Sequence, residues 1–113
     1  MTNELHYGMT LRLFTDKKAF GPGIAQLLEL TDDTHSLNKA AAMMGMAYSK
    51  AWKILNESED ALGFKLLERH AGGSGGGGAV LTPEGRKILE AYTSFREEAD
   101  GAVRVLYEKY FGQ

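Results

Sequence analysis

Ser49, Lys50 and Lys53 fall on one side of a predicted helix that opens near Ala47, and they bring a hydroxyl and two ammonium groups to its first turns. Such groups suit a partner with dense negative charge and hydrogen-bonding edges, since an ammonium pairs with phosphate and a hydroxyl both donates and accepts. The plainer reading of the same residues is a solvated helix face. Two further cationic candidates, Arg69 and His70, directly precede the run Ala71-Gly72-Gly73-Ser74-Gly75-Gly76-Gly77-Gly78. Its six glycines allow backbone to approach a surface where a Cβ would clash, although the same composition also makes a flexible linker. Gly73 to Gly78 matches GxGxxG by letter. That dinucleotide fingerprint requires a helix straight after the loop, whereas Val80-Leu81-Thr82 and then Pro83 follow here.

Other chemistries find little support. His6, His35 and His70 lie far apart without metal-ligand spacing, so no metal site is expected. Glu57, Glu59 and Asp60 read as a solvated face rather than a general acid/base pair. The absence of cysteine excludes disulfides, thiolate ligands and Cys nucleophiles, and fits a reducing, cytoplasmic location. No catalytic residue and no cofactor are expected, and the chain is not expected to be an enzyme.

The elements that must position these residues are legible from caps and periodicity. Ser36 is a good N-cap for a helix with Leu37, Ala40, Ala41 and Met44 at helical spacing, and Gly45 stands where a left-handed C′ residue belongs. The next helix is expected to bury Tyr48, Ala51, Trp52, Leu55 and Leu62 and to expose Ser49, Lys50, Lys53, Asn56 and Asp60. Tyr48 and Trp52 are thus assigned to the core rather than to base stacking. A short Ala-rich helix, a Gly turn and a second helix with a polar start form a helix-turn-helix pattern. Phe64 to His70 and Ala79 to Thr82 read as two short strands around the glycines, making the hairpin a wing.

Around this unit, Tyr7 to Thr15 alternates as an edge strand would, with Met9, Leu11 and Leu13 on one side. Pro22 suits the first turn of a helix whose stripe is Ile24, Leu27, Leu28 and Leu30, and which is expected to end over Thr31-Asp32-Asp33-Thr34. Thr82 and Pro83 open a long last helix. Its stripe of Ile88, Tyr92, Phe95, Ala99, Ala102, Leu106 and Tyr110 extends beyond what a small domain covers, so pairing with a second chain is expected there. Gly101 is the candidate position for a break or kink in that helix.

With 113 residues, one domain with a modest core is expected, and no stretch approaches the roughly 20 apolar residues of a membrane span. The net charge of −2 argues mildly against binding by bulk attraction to a polyanion. Its distribution matters more: from Thr34 to Asn56 there are three lysines, Lys39, Lys50 and Lys53, plus His35, and no acid.

The chain resembles the N-terminal DNA-binding domain of molybdate-responsive (ModE-type) transcriptional regulators, relatives of LysR-type regulators. The resemblance is carried by Phe20-Gly21-Pro22-Gly23, Ser36 to Ala41, Gly45 to Trp52, Leu67-Glu68-Arg69 and the glycine run into Leu81-Thr82, and covers about Leu11 to Tyr92. It implies a mainly α winged helix-turn-helix with a small β-hairpin, residues 1–82 binding DNA with the wing at 71–78, and residues 83–113 forming a dimerisation helix in the same domain. The expected DNA-binding set is Ser36, Lys39, Ala47, Ser49, Lys50, Lys53, Arg69, His70, Gly72, Gly73 and Ser74; the expected dimer interface is Ile88, Tyr92, Phe95, Ala99, Ala102 and Leu106. The implied function is sequence-specific binding of double-stranded DNA as a homodimeric transcription regulator. The alternative is a winged-helix interaction module that does not bind DNA.

Two departures from the family pattern stand out. The sequence leaves no room for the family's C-terminal oxyanion-binding region, so a stand-alone domain that senses no small-molecule effector is expected. Ala47 also replaces the usual Ser at the recognition-helix N-terminus, a loss of about 0.5–2 kcal/mol of local stability that Ser49 is expected to offset in part.

Overall fold

The computed structural model describes residues 3–73 and 76–112. In chain order these form β1 (Leu13–Phe14), β2 (Lys18–Phe20), α1 (Pro22–Thr34), α2 (Leu37–Met43), α3 (Tyr48–Leu62), β3 (Leu67–Gly73), β4 (Gly76–Leu81) and α4 (Pro83–Phe111). Strands β1 and β2 pair antiparallel, as do β3 and β4, and the architecture is a winged helix-turn-helix with a long C-terminal helix. Helix α1 packs against α2, α3, α4 and β4, and the core forms around its Ile24, Leu27 and Leu28 together with Phe20, Ala40, Ala51, Leu55, Leu66 and Tyr92.

Local rules account for the helix ends. Ser36 Oγ accepts the Lys39 N–H at 3.1 Å as the α2 cap. At the other end Gly45 turns left-handed with φ 70°, its N–H bonds the Ala42 carbonyl and the Met46 N–H bonds that of Ala41, which helps to satisfy the carbonyls of the last turn. Helix α1 runs one turn further than expected, through Thr31 to Thr34. The Thr31 and Thr34 hydroxyls donate to the Leu27 and Leu30 carbonyls at 2.7 and 2.8 Å, which keeps these polar residues helical. The stop comes at His35, left-handed with φ 57°, whose N–H bonds the Thr31 carbonyl.

The edge strand expected over Tyr7 to Thr15 is reduced to β1. Met9, Leu11 and Leu13 are still half-buried, and Leu13 pairs with Phe20, but the chain before β1 runs beside α4, a helix with no free ladder for an extended chain to join. Side chains hold the segment instead. Tyr92 donates to the Leu11 carbonyl at 2.9 Å, Tyr107 to that of Leu5 at 2.7 Å, and Tyr7 to the Asp100 carboxylate at 2.6 Å. The Tyr7 bond and the Arg104 guanidinium hold the Asp100 carboxyl below its ordinary range, and the same bond pushes the Tyr7 phenol up. The outer half of α4 therefore packs against the chain's own N-terminal segment along one flank. It continues as helix through Gly101.

The root of the β3–β4 hairpin is fixed from three directions. Thr82 donates through its N–H to the Leu66 carbonyl and through its hydroxyl to that of Lys65, while its hydroxyl oxygen caps α4 by accepting the Gly85 N–H at 2.8 Å. The Glu59 carboxylate accepts the Leu66 N–H at 2.7 Å and the Leu67 N–H at 3.4 Å. Glu59 is consequently buried, which corrects the expectation of an acidic solvated face; Glu57 and Asp60 are exposed, and Asp60 pairs with Lys17. The Ala79 N–H donates to the His35 carbonyl at 3.0 Å and ties β4 to the corner between α1 and α2.

Candidate nucleic-acid interface

Ser49, Lys50 and Lys53 are all exposed on the first turns of α3, together with the N-cap residue Ala47. Lys39 is exposed on α2, and Ser36 is half-buried with its oxygen engaged as the cap. Among the described residues none of Lys39, Lys50 and Lys53 forms an ion pair. The acids that are paired meet other cations: Asp60 with Lys17, Glu59 with Lys65, Asp32 with Arg86 and Asp100 with Arg104. The α2–α3 face therefore keeps uncompensated positive charge although the chain is net negative.

Arg69 and His70 are exposed on β3, opposite Ala79 and Gly78 of β4, and the register shifts between His70 and Gly73. Gly72 and Gly73 close β3. Ser74, expected to contact DNA, lies outside the described residues, as does Gly75. Arg69 joins the two halves of the candidate site: its guanidinium donates to the Tyr48 hydroxyl at 2.6 Å and lies 4.0 Å from the centre of the Trp52 ring. Tyr48 is 37% exposed, which corrects its assignment to the core, whereas Trp52 is half-buried and packs against that core. Helical periodicity places them beside Ala51 and Leu55, but they stand at the edge of that stripe where Arg69, from a strand far along the chain, supplies the cover. Pairing at a separation of 21 residues leaves no local signal in the sequence.

The α4 stripe divides in the same way. Tyr92 is 1% exposed and meets Phe20 edge-on with ring centres 5.1 Å apart, so it belongs to the chain's own core, with Ile88 packed beside it. Phe95, Ala102 and Leu106 are exposed, and Ala99 is half-buried. A separate cleft of about 760 Å³ runs between the β1–β2 turn and the outer part of α3, and none of the expected site residues lines it. Among the described residues no cluster of His, Cys, Asp or Glu can hold a metal ion, and no helix is long and apolar enough to cross a membrane.

The helix-turn-helix with a hairpin rooted between α3 and α4 defines a winged DNA-binding fold. The chain belongs to the bacterial regulatory helix-turn-helix proteins of the lysR family, whose sequence profile matches residues 25–86. It is similar to the transcriptional regulator ModE of Yersinia pestis, 35% identical over 81 residues that make up 72% of this chain and 29% of that protein. It is likewise similar to the DNA-binding transcriptional dual regulator ModE of Escherichia coli K12, 34% identical over 99 residues (87% of this chain, 37% of the relative). The molybdenum-pterin-binding protein MopB of Rhodobacter capsulatus is 38% identical over 66 residues, 58% of this chain and 24% of that protein. The chain thus matches 24% to 37% of the length of these relatives.

Ala47 has extended backbone, φ −66° and ψ 147°, and α3 has no side-chain cap. A serine adopts that conformation freely and supplies the missing acceptor. Ala47→Ser is therefore expected to stabilise the chain by about 1 kcal/mol in urea denaturation. An unchanged midpoint would show that Ser49 or another group already satisfies the first-turn amides.

Proposed function

We propose that the chain is a sequence-specific DNA-binding transcription regulator that acts in the cytoplasm as a homodimer. Helix α3 enters the major groove, and the glycine-rich wing lies on the flanking backbone. The observation that carries this reading is the exposed, uncompensated set Ser49, Lys50 and Lys53 on the first turns of α3, beside a wing whose root is fixed to the helix-turn-helix. A helix in the groove presents those turns to base edges and phosphates. A gel-shift screen of genomic fragments tests the reading, with retention of a discrete subset expected; uniform weak retention would leave only non-specific attraction.

On a fragment so selected, Lys50→Ala and Lys53→Ala are each expected to weaken binding. For each phosphate that the variant no longer neutralises, the slope of log K against log salt should become shallower by about 0.9. Parental affinity and slope in both variants would remove α3 from the groove.

The dimer is proposed to form along the outer turns of α4, where Phe95 and Leu106 are 49% and 53% exposed. Two-fold pairing presents two recognition helices to successive major-groove turns about 34 Å apart. Light scattering should give about twice the chain mass of 12.4 kDa. Leu106→Glu, which places like charges opposite each other in a two-fold interface, should give the single-chain mass. A parent that scatters as a monomer would favour an interaction module instead, consistent with the net charge of −2.

A further inference from the structure

We propose that Arg69 is a positioning residue: it clasps the first strand of the wing to the opening turns of α3 and so fixes the angle between wing and recognition helix. Tyr48 and Trp52 stand four residues apart on one helix face, with ring centres 6.2 Å apart in an edge-on arrangement. The Arg69 guanidinium uses both at once. One amino group donates to the Tyr48 hydroxyl at 2.6 Å, and the guanidinium carbon lies over the Trp52 ring, 4.0 Å from its centre. A lysine ammonium cannot reproduce that combination, because it has no plane to stack while it donates sideways.

The rung that Arg69 occupies is anchored on its other side as well. Its partner in the register is Ala79, whose N–H donates to the His35 carbonyl at 3.0 Å. One rung of the hairpin is thus tied through Arg69 to α3 and through Ala79 to the corner before α2. Turning Arg69 out to a phosphate would break the hydrogen bond and the stacking together, and would release one of the two ties. The consequence for nucleic-acid recognition rests on the DNA-binding reading above, whereas the clasp itself does not.

The test has one arm without DNA and one with it. Residual dipolar couplings of the free full chain are expected to fit a single alignment tensor across α3 and β3. In Arg69→Lys and in the milder Tyr48→Phe the β3 couplings should shrink and require a second tensor. Couplings in both variants that still fit one tensor would overturn the clasp. On a fragment bound by the parent, Arg69→Lys should weaken affinity roughly three- to tenfold, the size expected for a cation–π contact and its hydrogen bond. Hydroxyl-radical protection should disappear on the flanks and persist at the centre, with the salt slope unchanged. Parental affinity in Arg69→Lys, with a slope lowered by about 1 in Arg69→Ala, would make Arg69 a phosphate ligand and contradict the proposal. If the parent binds no duplex, the DNA-binding reading fails while the dipolar couplings still decide the clasp.

Discussion

Gly85→Ala is expected to destabilise the chain by about 3 kcal/mol, although alanine is the better helix former. Gly85 lies in the first turn of α4, where the helix crosses the hairpin root, and a Cβ there would stand 2.3 Å from the Leu66 carbonyl oxygen and 3.0 Å from its carbon. Those are backbone atoms already held by Thr82 and Glu59, so no flexible side chain can yield. Helix propensity favours the substitution by roughly 1 kcal/mol, and the clash outweighs it. The loss should lower the melting temperature by more than about 10 °C. Gly101→Ala is the matched control, since nothing lies within 4 Å of its Cβ position; it should stabilise the same helix by roughly 0.5–1 kcal/mol. Equal, small effects at the two sites in a thermal scan would show that α4 does not press on Leu66 as described.

Glu59→Ala is expected to cost about 3 kcal/mol, because it strips two buried hairpin amides of their acceptor at a few kcal/mol for the pair. Glu59→Gln keeps an oxygen and the volume and should cost less than half as much. Lys65→Ala should change little, since the Lys65 side chain is 77% exposed and its ion pair with Glu59 is 3.5 Å long. Urea midpoints of the three variants separate the contributions. A Glu59→Ala midpoint near the parent would mean that water replaces the carboxylate and that α3 does not hold the hairpin root.

The parts of the molecule governed by neighbouring residues were legible in the sequence. The Ser36 cap, the Gly45 turn, Pro22 and the Thr82-Pro83 start each follow from hydrogen bonds spanning a few residues, and with them came the helix-turn-helix order. What escaped depends on partners far along the chain. Tyr7 meets Asp100 at a separation of 93 residues, so the N-terminal segment showed its alternation without the helix that it covers. Glu59 carries the pattern of an exposed acid, and only the return of the chain at Leu66 and Leu67 buries it. Tyr48 and Trp52 have core chemistry, and Arg69 turns them into a polar-edged contact. The lysine face needed no distant partner to form, which is why its placement agrees with the periodicity of α3.

Fluorescence anisotropy of the intact chain with a labelled fragment retained in the gel-shift screen tests the central proposal most directly. The titration is run at about 50 and about 200 mM salt, a range over which phosphate contacts separate clearly from uncharged binding. DNA recognition through α3 predicts saturable binding that weakens steeply with salt, survives excess unrelated duplex, and falls when Lys50 and Lys53 are both replaced by alanine. Binding that unrelated duplex competes away equally, or that is indifferent to the loss of both lysines, would contradict it.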